Sequence, residues 1–105
     1  MRSLSRALLT DTALKHVGTM TNLTRLTLNT PYGIGRKFSD VGIEKLATLT
    51  NLTNLDLTWH HVTARGIAKL AGLKKLKYLM IGSTRVRHDE VNYLKGIFPS
   101  TTIYK

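Results

Sequence analysis

The sequence predicts an α/β solenoid, with a short parallel β-sheet on its concave face and helices on its convex face. Three observations predict it. The hexad L-x-x-L-x-L occurs three times, as Leu23–Leu28, Leu52–Leu57 and Leu76–Ile81. The hexads are phased: Leu55 and Leu79 are 24 residues apart, and Leu26 and Leu55 are 29 apart, which is 24 plus an insertion of five. Between the hexads a second pattern recurs with the same phase, in Leu9–Leu14, Phe38–Ile43, Val62–Ile67 and Val86–Val91. A fixed period of this size marks a fold in which each unit buries its apolar face only by stacking on its neighbours.

The elements follow in order. In a 24-residue count Leu4 falls at the place of Leu57 and Leu9 at that of Val62, so the chain opens partway through a strand. The first full unit, about 9–37, has Thr10 and Asp11 at a helix start and its strand around Leu26. The second, 38–61, opens on Ser39-Asp40 and continues Ile43, Leu46, Leu49 at helical spacing before the strand around Leu55. The third, 62–85, opens on Thr63, continues Ile67, Leu70, Leu73, and has its strand around Leu79. The last, 86–105, carries Arg87-His88 where a hydroxyl and a carboxylate are expected, which leaves Asp89 as the candidate cap. It closes on Ile103, 24 residues after Leu79. Ser and Thr at helix starts accept hydrogen bonds from free N–H groups of the first turn, and acidic residues there oppose the helix dipole. Leu26, Leu55, Leu79 and Ile103 should form one ladder, and Leu28, Leu57 and Ile81 another. The whole, 1–105, reads as one domain with a partial unit at 1–8.

These residues resemble the leucine-rich-repeat family, and most of all bacterial subtypes whose units read L-x-x-L-x-L-x-x-T-x-V-T-D-x-G-L-x-x-L. The matching stretches here are Leu76–Thr84 with Val86, and the helix start Ser39-Asp40-Val41-Gly42-Ile43. The resemblance covers roughly 4–105 and implies an interaction scaffold with the concave face as its binding surface. It does not name a partner, because the fold hosts many tasks.

Composition narrows the classes. There is no cysteine, so disulfides and thiolate metal sites are excluded. No apolar run approaches the ~20 residues of a membrane span or the ~7–15 of a signal-peptide core, and an intracellular, cytoplasmic protein is the expectation. The net charge is +10, from 16 basic and 6 acidic residues, spread along the chain. Such a balance favours anionic partners.

Strand alternation assigns the candidate site. Residues between the ladder positions should face outward: Arg25, Thr27 and Asn29; Asn54, Asp56 and Thr58; Tyr78, Met80 and Gly82; Thr102 and Tyr104. Trp59, the only tryptophan, stands just beyond the second strand. Arg25, Asn54, Asp56, Trp59, Tyr78 and Met80 form the candidate protein-binding set, because binding hot spots are rich in Trp, Tyr and Arg. Tyr32 and Arg36 join it from the insertion loop Pro31–Lys37, whose Gly33-Ile34-Gly35 lacks the rest of a phosphate-loop signature. A second candidate set, for an anionic ligand, is Lys74, Lys75, Lys77, Arg85 and Arg87.

Other motifs carry less. His60-His61 lacks third and fourth ligands at metal-binding spacing, and no cofactor or metal is expected. Asn22-Leu-Thr24 and Asn51-Leu-Thr53 match a glycosylation acceptor, yet both are explained by the repeat phase. No nucleophile with a partnering base can be assembled, so an enzyme is not expected. The sequence-level expectation is a non-catalytic module that binds a protein partner through its concave face. The alternatives are a basic binder of nucleic acid or another polyanion, and a structural unit that oligomerises through its open N-terminal edge.

Overall fold

The computed structural model describes residues 3–5, 15–28 and 39–105. Its five short strands are β1 (Ser3–Ser5), β2 (Arg25–Thr27), β3 (Asn54–Asp56), β4 (Tyr78–Met80) and β5 (Thr102–Tyr104). They form one sheet in chain order, every neighbouring pair parallel. Helical segments connect the strands: α1 (Asp40–Ile43) running into a 3-10 helix (Glu44–Thr48), α2 (Ala64–Ala68), then a 3-10 turn (His88–Glu90) running into α3 (Val91–Ile97). Together they make a small leucine-rich-repeat-like solenoid.

The repeat sets the register. Leu26, Leu55, Leu79 and Ile103 are direct cross-strand partners. The backbone ladder continues past the strand ends in the same phase. Leu28 N–H donates to the Asp56 carbonyl at 2.9 Å, Leu57 N–H to Met80 at 2.8 Å and Ile81 N–H to Tyr104 at 2.8 Å. Leu26, Leu28, Leu55, Leu57, Leu79 and Ile81 are all buried. At about 25 cal/mol per Å² of apolar surface, these stacked side chains are the main favourable term in the fold.

Two expectations are corrected by the structure. Leu4 pairs with Leu26, not in phase with Leu28 and Leu57, so the first unit runs 22 residues from Leu4 to Leu26. The connections between strands tolerate length changes, whereas strand register is held by cross-strand hydrogen bonds. The second correction concerns the last unit. Arg87 N–H donates to Glu90 Oε1 at 2.9 Å, so Glu90 satisfies the turn's first donor and Asp89 does not. Glutamate at this place reaches back over one turn, which a shorter aspartate side chain does less readily.

In the second and third units the chain that leads from helix to strand winds more tightly than an α-helix. Ile43, Leu46, Leu49 and Leu52 recur at intervals of three, as do Ile67, Leu70, Leu73 and Leu76. All are buried. Three residues per turn is the 3-10 period, and the backbone follows it: Leu49 N–H donates to Leu46, Leu52 to Leu49, Leu73 to Leu70 and Leu76 to Leu73. Ser39 and Thr63 cap α1 and α2 as the sequence predicts. Ser39 Oγ accepts from Val41 N–H at 3.4 Å and Thr63 Oγ1 from Gly66 N–H at 3.2 Å. Threonine and asparagine side chains also tie unit to unit. The Thr48 hydroxyl donates to the Gly18 carbonyl at 2.7 Å, Asn51 Nδ2 to Thr21 at 2.9 Å, and the Thr101 hydroxyl to Leu76 at 2.7 Å.

Candidate functional site

Register turns the outward strand residues into rows across the sheet. One row reads Arg25, Asn54, Tyr78, Thr102, and the next Thr27, Asp56, Met80, Tyr104. Neighbouring strands lie about 4.8 Å apart, so Arg25 stands roughly 10 Å along its row from Tyr78. Tyr78 and Tyr104 sit diagonally on β4 and β5. Their rings stack, with centroids 6.5 Å apart and planes at 21°. Both stay open to solvent, at 41% and 51% exposure. Two exposed aromatic rings on one rigid sheet form a flat apolar platform whose conformation is set before any partner arrives.

Trp59 adds a third aromatic ring at the strand-to-helix turn. Its backbone is left-handed, with φ 76°, and its N–H donates to the Gly82 carbonyl at 3.1 Å. Ser83, one period later, is also left-handed at φ 56°. The turn therefore demands this conformation in two successive units, and a non-glycine residue there carries a conformational cost of about 1–2 kcal/mol. Asp56 is held at the same turn. Its Oδ1 accepts from Thr58 N–H at 2.9 Å and from the Thr58 hydroxyl at 2.6 Å.

Of the predicted protein-binding residues, Arg25, Asn54, Asp56, Tyr78 and Met80 lie on the sheet rows, and Trp59 lies at their border. Tyr32 and Arg36 lie outside the described residues. The basic set is divided by β4. Lys74, Lys75 and Lys77 precede its first residue, whereas Arg85 and Arg87 follow its far end. Lys75 Nζ donates to Asn51 Oδ1 at 3.0 Å, and Arg87 Nε lies 3.2 Å from Asp89 and 3.6 Å from Glu90. Such exposed pairs contribute at most about 1 kcal/mol. Lys74, Lys77 and Arg85 are exposed and form no ion pair with a described residue.

His60 departs most from a reading of types alone. It is a buried polar residue at 1% exposure, and its Nε2 meets the Leu28 carbonyl of the preceding unit. One period later the same place is taken by Thr84, whose hydroxyl donates to the Ile81 carbonyl at 2.6 Å. Thr84 thus bonds within its own unit, whereas the longer His60 side chain reaches across to the unit before. Among the described residues no group of three or more His, Asp or Glu is placed to hold a metal ion. No helix among them is long and apolar enough to cross a membrane.

Comparison with known proteins bears on the fold. No family model matches the chain, and a search of curated proteins finds no match. Among solved structures, the Chaetomium Mex67:Mtr2 subunits share the fold with a TM-score of 0.69 at 19% identity, over 97% of this chain and 76% of that one. A leucine-rich-repeat protein of Leptospira interrogans aligns with a TM-score of 0.53 at 20% identity, over 87% of this chain and 27% of that one. An internalin of Listeria monocytogenes aligns with a TM-score of 0.50 at 16% identity, over 87% of this chain and 33% of that one. The chain thus spans about a quarter and a third of those two longer proteins. At these identities the likeness is one of fold.

Proposed function

We propose that this chain is a non-catalytic protein-binding module that engages its partner through the sheet face around Trp59, Tyr78, Met80 and Tyr104. The observation that carries this reading is the exposed Tyr78–Tyr104 stack on a rigid parallel sheet. Aromatic anchors near the centre of a surface supply most of the energy in typical interfaces, and rigid ones lose little entropy on binding. The leucine-rich-repeat-like fold of the solved neighbours supports the same reading.

The test is affinity capture by the immobilised protein, compared across variants. Trp59→Ala/Tyr78→Ala is expected to lose the proteins captured by the parent chain, with its far-ultraviolet circular dichroism unchanged. Tyr93→Ala, on the helical side and 56% exposed, is expected to keep them. Capture that survives loss of Trp59 and Tyr78 rejects the face.

The net charge of +10 favours a second reading, a polyanion binder using Lys74, Lys77 and Arg85. It predicts binding to a generic RNA or DNA probe that weakens steeply with salt, with a log–log slope of about 0.7–0.9 per phosphate contacted. A flat salt response removes it.

A further inference from the structure

The same face also carries a charge pattern that points to a class of partner. Its aromatic platform is bordered by cations. Lys77 immediately precedes Tyr78 and is exposed, Arg85 is exposed beyond the far end of β4, and Arg25 stands two strands from Tyr78 in the same row. One described side-chain carboxylate shares the sheet face, that of Asp56, and Thr58 already donates to it twice. The other described side-chain carboxylates belong to the helical side and have partners there: Asp40 with Thr63, Glu44 with Lys69, and Asp89 and Glu90 with Arg87. Arg25, Lys77 and Arg85 are exposed and form no ion pair with a described residue, so their charge is open to a partner beside the tyrosines.

The geometry favours an extended partner. Gly82 lies in the turn after β4, two residues past Met80, and it has no side chain. The nearest atoms to a Cβ there belong to Thr58 and Lys105, at 3.8 and 3.7 Å. The turn at Gly82 therefore presents backbone and no side chain beside Trp59, whose N–H donates to the Gly82 carbonyl. A polypeptide can approach the backbone closely at that point while its side chains reach the rings on one side and the cations on the other.

We propose that this face binds an extended acidic segment of a partner protein, in which Asp or Glu residues flank an aromatic or large apolar side chain. The proposal rests on the protein-binding reading above and names the chemistry of its ligand. The apolar side chain packs on the Tyr78–Tyr104 platform beside Trp59. The flanking carboxylates meet Lys77 and Arg85 at the two ends of β4, with Arg25 as the outlying third cation. Charge supplies attraction at a distance, and the rings supply the preference among acidic chains.

The test uses two synthetic polymers of matched length and the full chain: a random copolymer of glutamate and tyrosine, and poly-glutamate. Trp59 is the only tryptophan, so its emission, excited where tyrosine does not absorb, reports on this face. The copolymer is expected to bind about tenfold more tightly than poly-glutamate and to change Trp59 emission. Tyr78→Ala/Tyr104→Ala is expected to erase that preference while leaving poly-glutamate binding in place. Arg25→Glu/Lys77→Glu is expected to weaken both polymers. Equal affinity of the parent chain for the two polymers overturns the proposal, as does a preference that survives removal of both tyrosines. Tighter binding of poly-uridylate than of the copolymer, with the same Trp59 response, assigns the face to nucleic acid and also overturns it. If neither polymer binds while captured proteins still depend on Trp59 and Tyr78, the acidic class is wrong and the protein-binding reading stands. If capture does not depend on them, the reading itself falls.

Discussion

The Asp40 carboxylate occupies the space that a side chain on Gly66 would need. Asp40 belongs to α1 and Gly66 to α2, one unit later. Asp40 Oδ1 accepts from Thr63 N–H at 2.9 Å and its Oδ2 from the Thr63 hydroxyl at 2.6 Å. A Cβ built on Gly66 would overlap the Asp40 side chain. In the next pair of units both members change. Ala64 stands where Asp40 stood, and Glu90 where Gly66 stood. Glu90 then does from its own unit what Asp40 does from the unit before, accepting from the N–H at the helix start. Aspartate with glycine, or alanine with glutamate, are two solutions to one requirement.

Gly66→Ala should therefore destabilise the chain by about 1–3 kcal/mol, the usual range for overpacking a filled site. Gly72→Ala is the control, since nothing lies within 4 Å of a Cβ there, and it should change stability by less than about 0.5 kcal/mol. Urea unfolding measures both. In the Asp40→Ala/Gly66→Ala double variant the two closest overlaps, with the carboxylate oxygen and its carbon, are gone and the contact with the residue-40 Cβ at 2.8 Å is left, so the cost of the second substitution should shrink and the two effects should fail to add. Additive costs would show that the two residues do not interact.

Leu55→Ala removes a side chain from the middle strand of the sheet, buried on all sides by its neighbours on β2 and β4. The expected loss is about 2–5 kcal/mol. Tyr104→Ala, on the open face, should cost under about 1 kcal/mol. Thermal denaturation of the two variants side by side checks the order, and the reverse order would contradict the placement of the core.

Ser83→Gly should raise stability by up to about 1 kcal/mol, because glycine adopts φ 56° without the clash that a Cβ brings. Trp59→Gly relieves the same clash but also removes a ring, so it should leave stability near the parent value and still abolish partner capture. A Ser83→Gly variant less stable than the parent would mean that the serine side chain makes a contribution larger than the strain it carries.

His60→Ala strands the Leu28 carbonyl in the interior and opens a cavity between the first two full units. A buried acceptor left without its partner costs about 1–3 kcal/mol, and His60→Gln should recover part of that by reaching the same carbonyl. Hydrogen exchange localises the effect, which should appear as faster exchange at Leu28 N–H. Equal stability of the parent and the alanine variant would remove His60 from the structural core.

Much of this protein is written in the spacing of its leucines. The phase of Leu26, Leu55, Leu79 and Ile103 determines the parallel register, because only one alignment of these strands buries every ladder position at once. The same alternation assigns Arg25, Asn54, Asp56, Tyr78 and Met80 to the outer face. Spacing could not decide what depends on several units meeting. The offset of Leu4 was set by a connection two residues shorter than the count assumed. The burial of His60 was set by a carbonyl 32 residues away in the chain. The stacking of Tyr78 on Tyr104 is a diagonal contact between β4 and β5. Lys74, Lys75 and Lys77 are near Arg85 and Arg87 in the chain, yet β4 stands between the two sets. A repeat determines which residues share a face, because that follows from backbone periodicity. Which of them touch follows from strand spacing, side-chain length and the insertions between units, and these are decided only when the units stack.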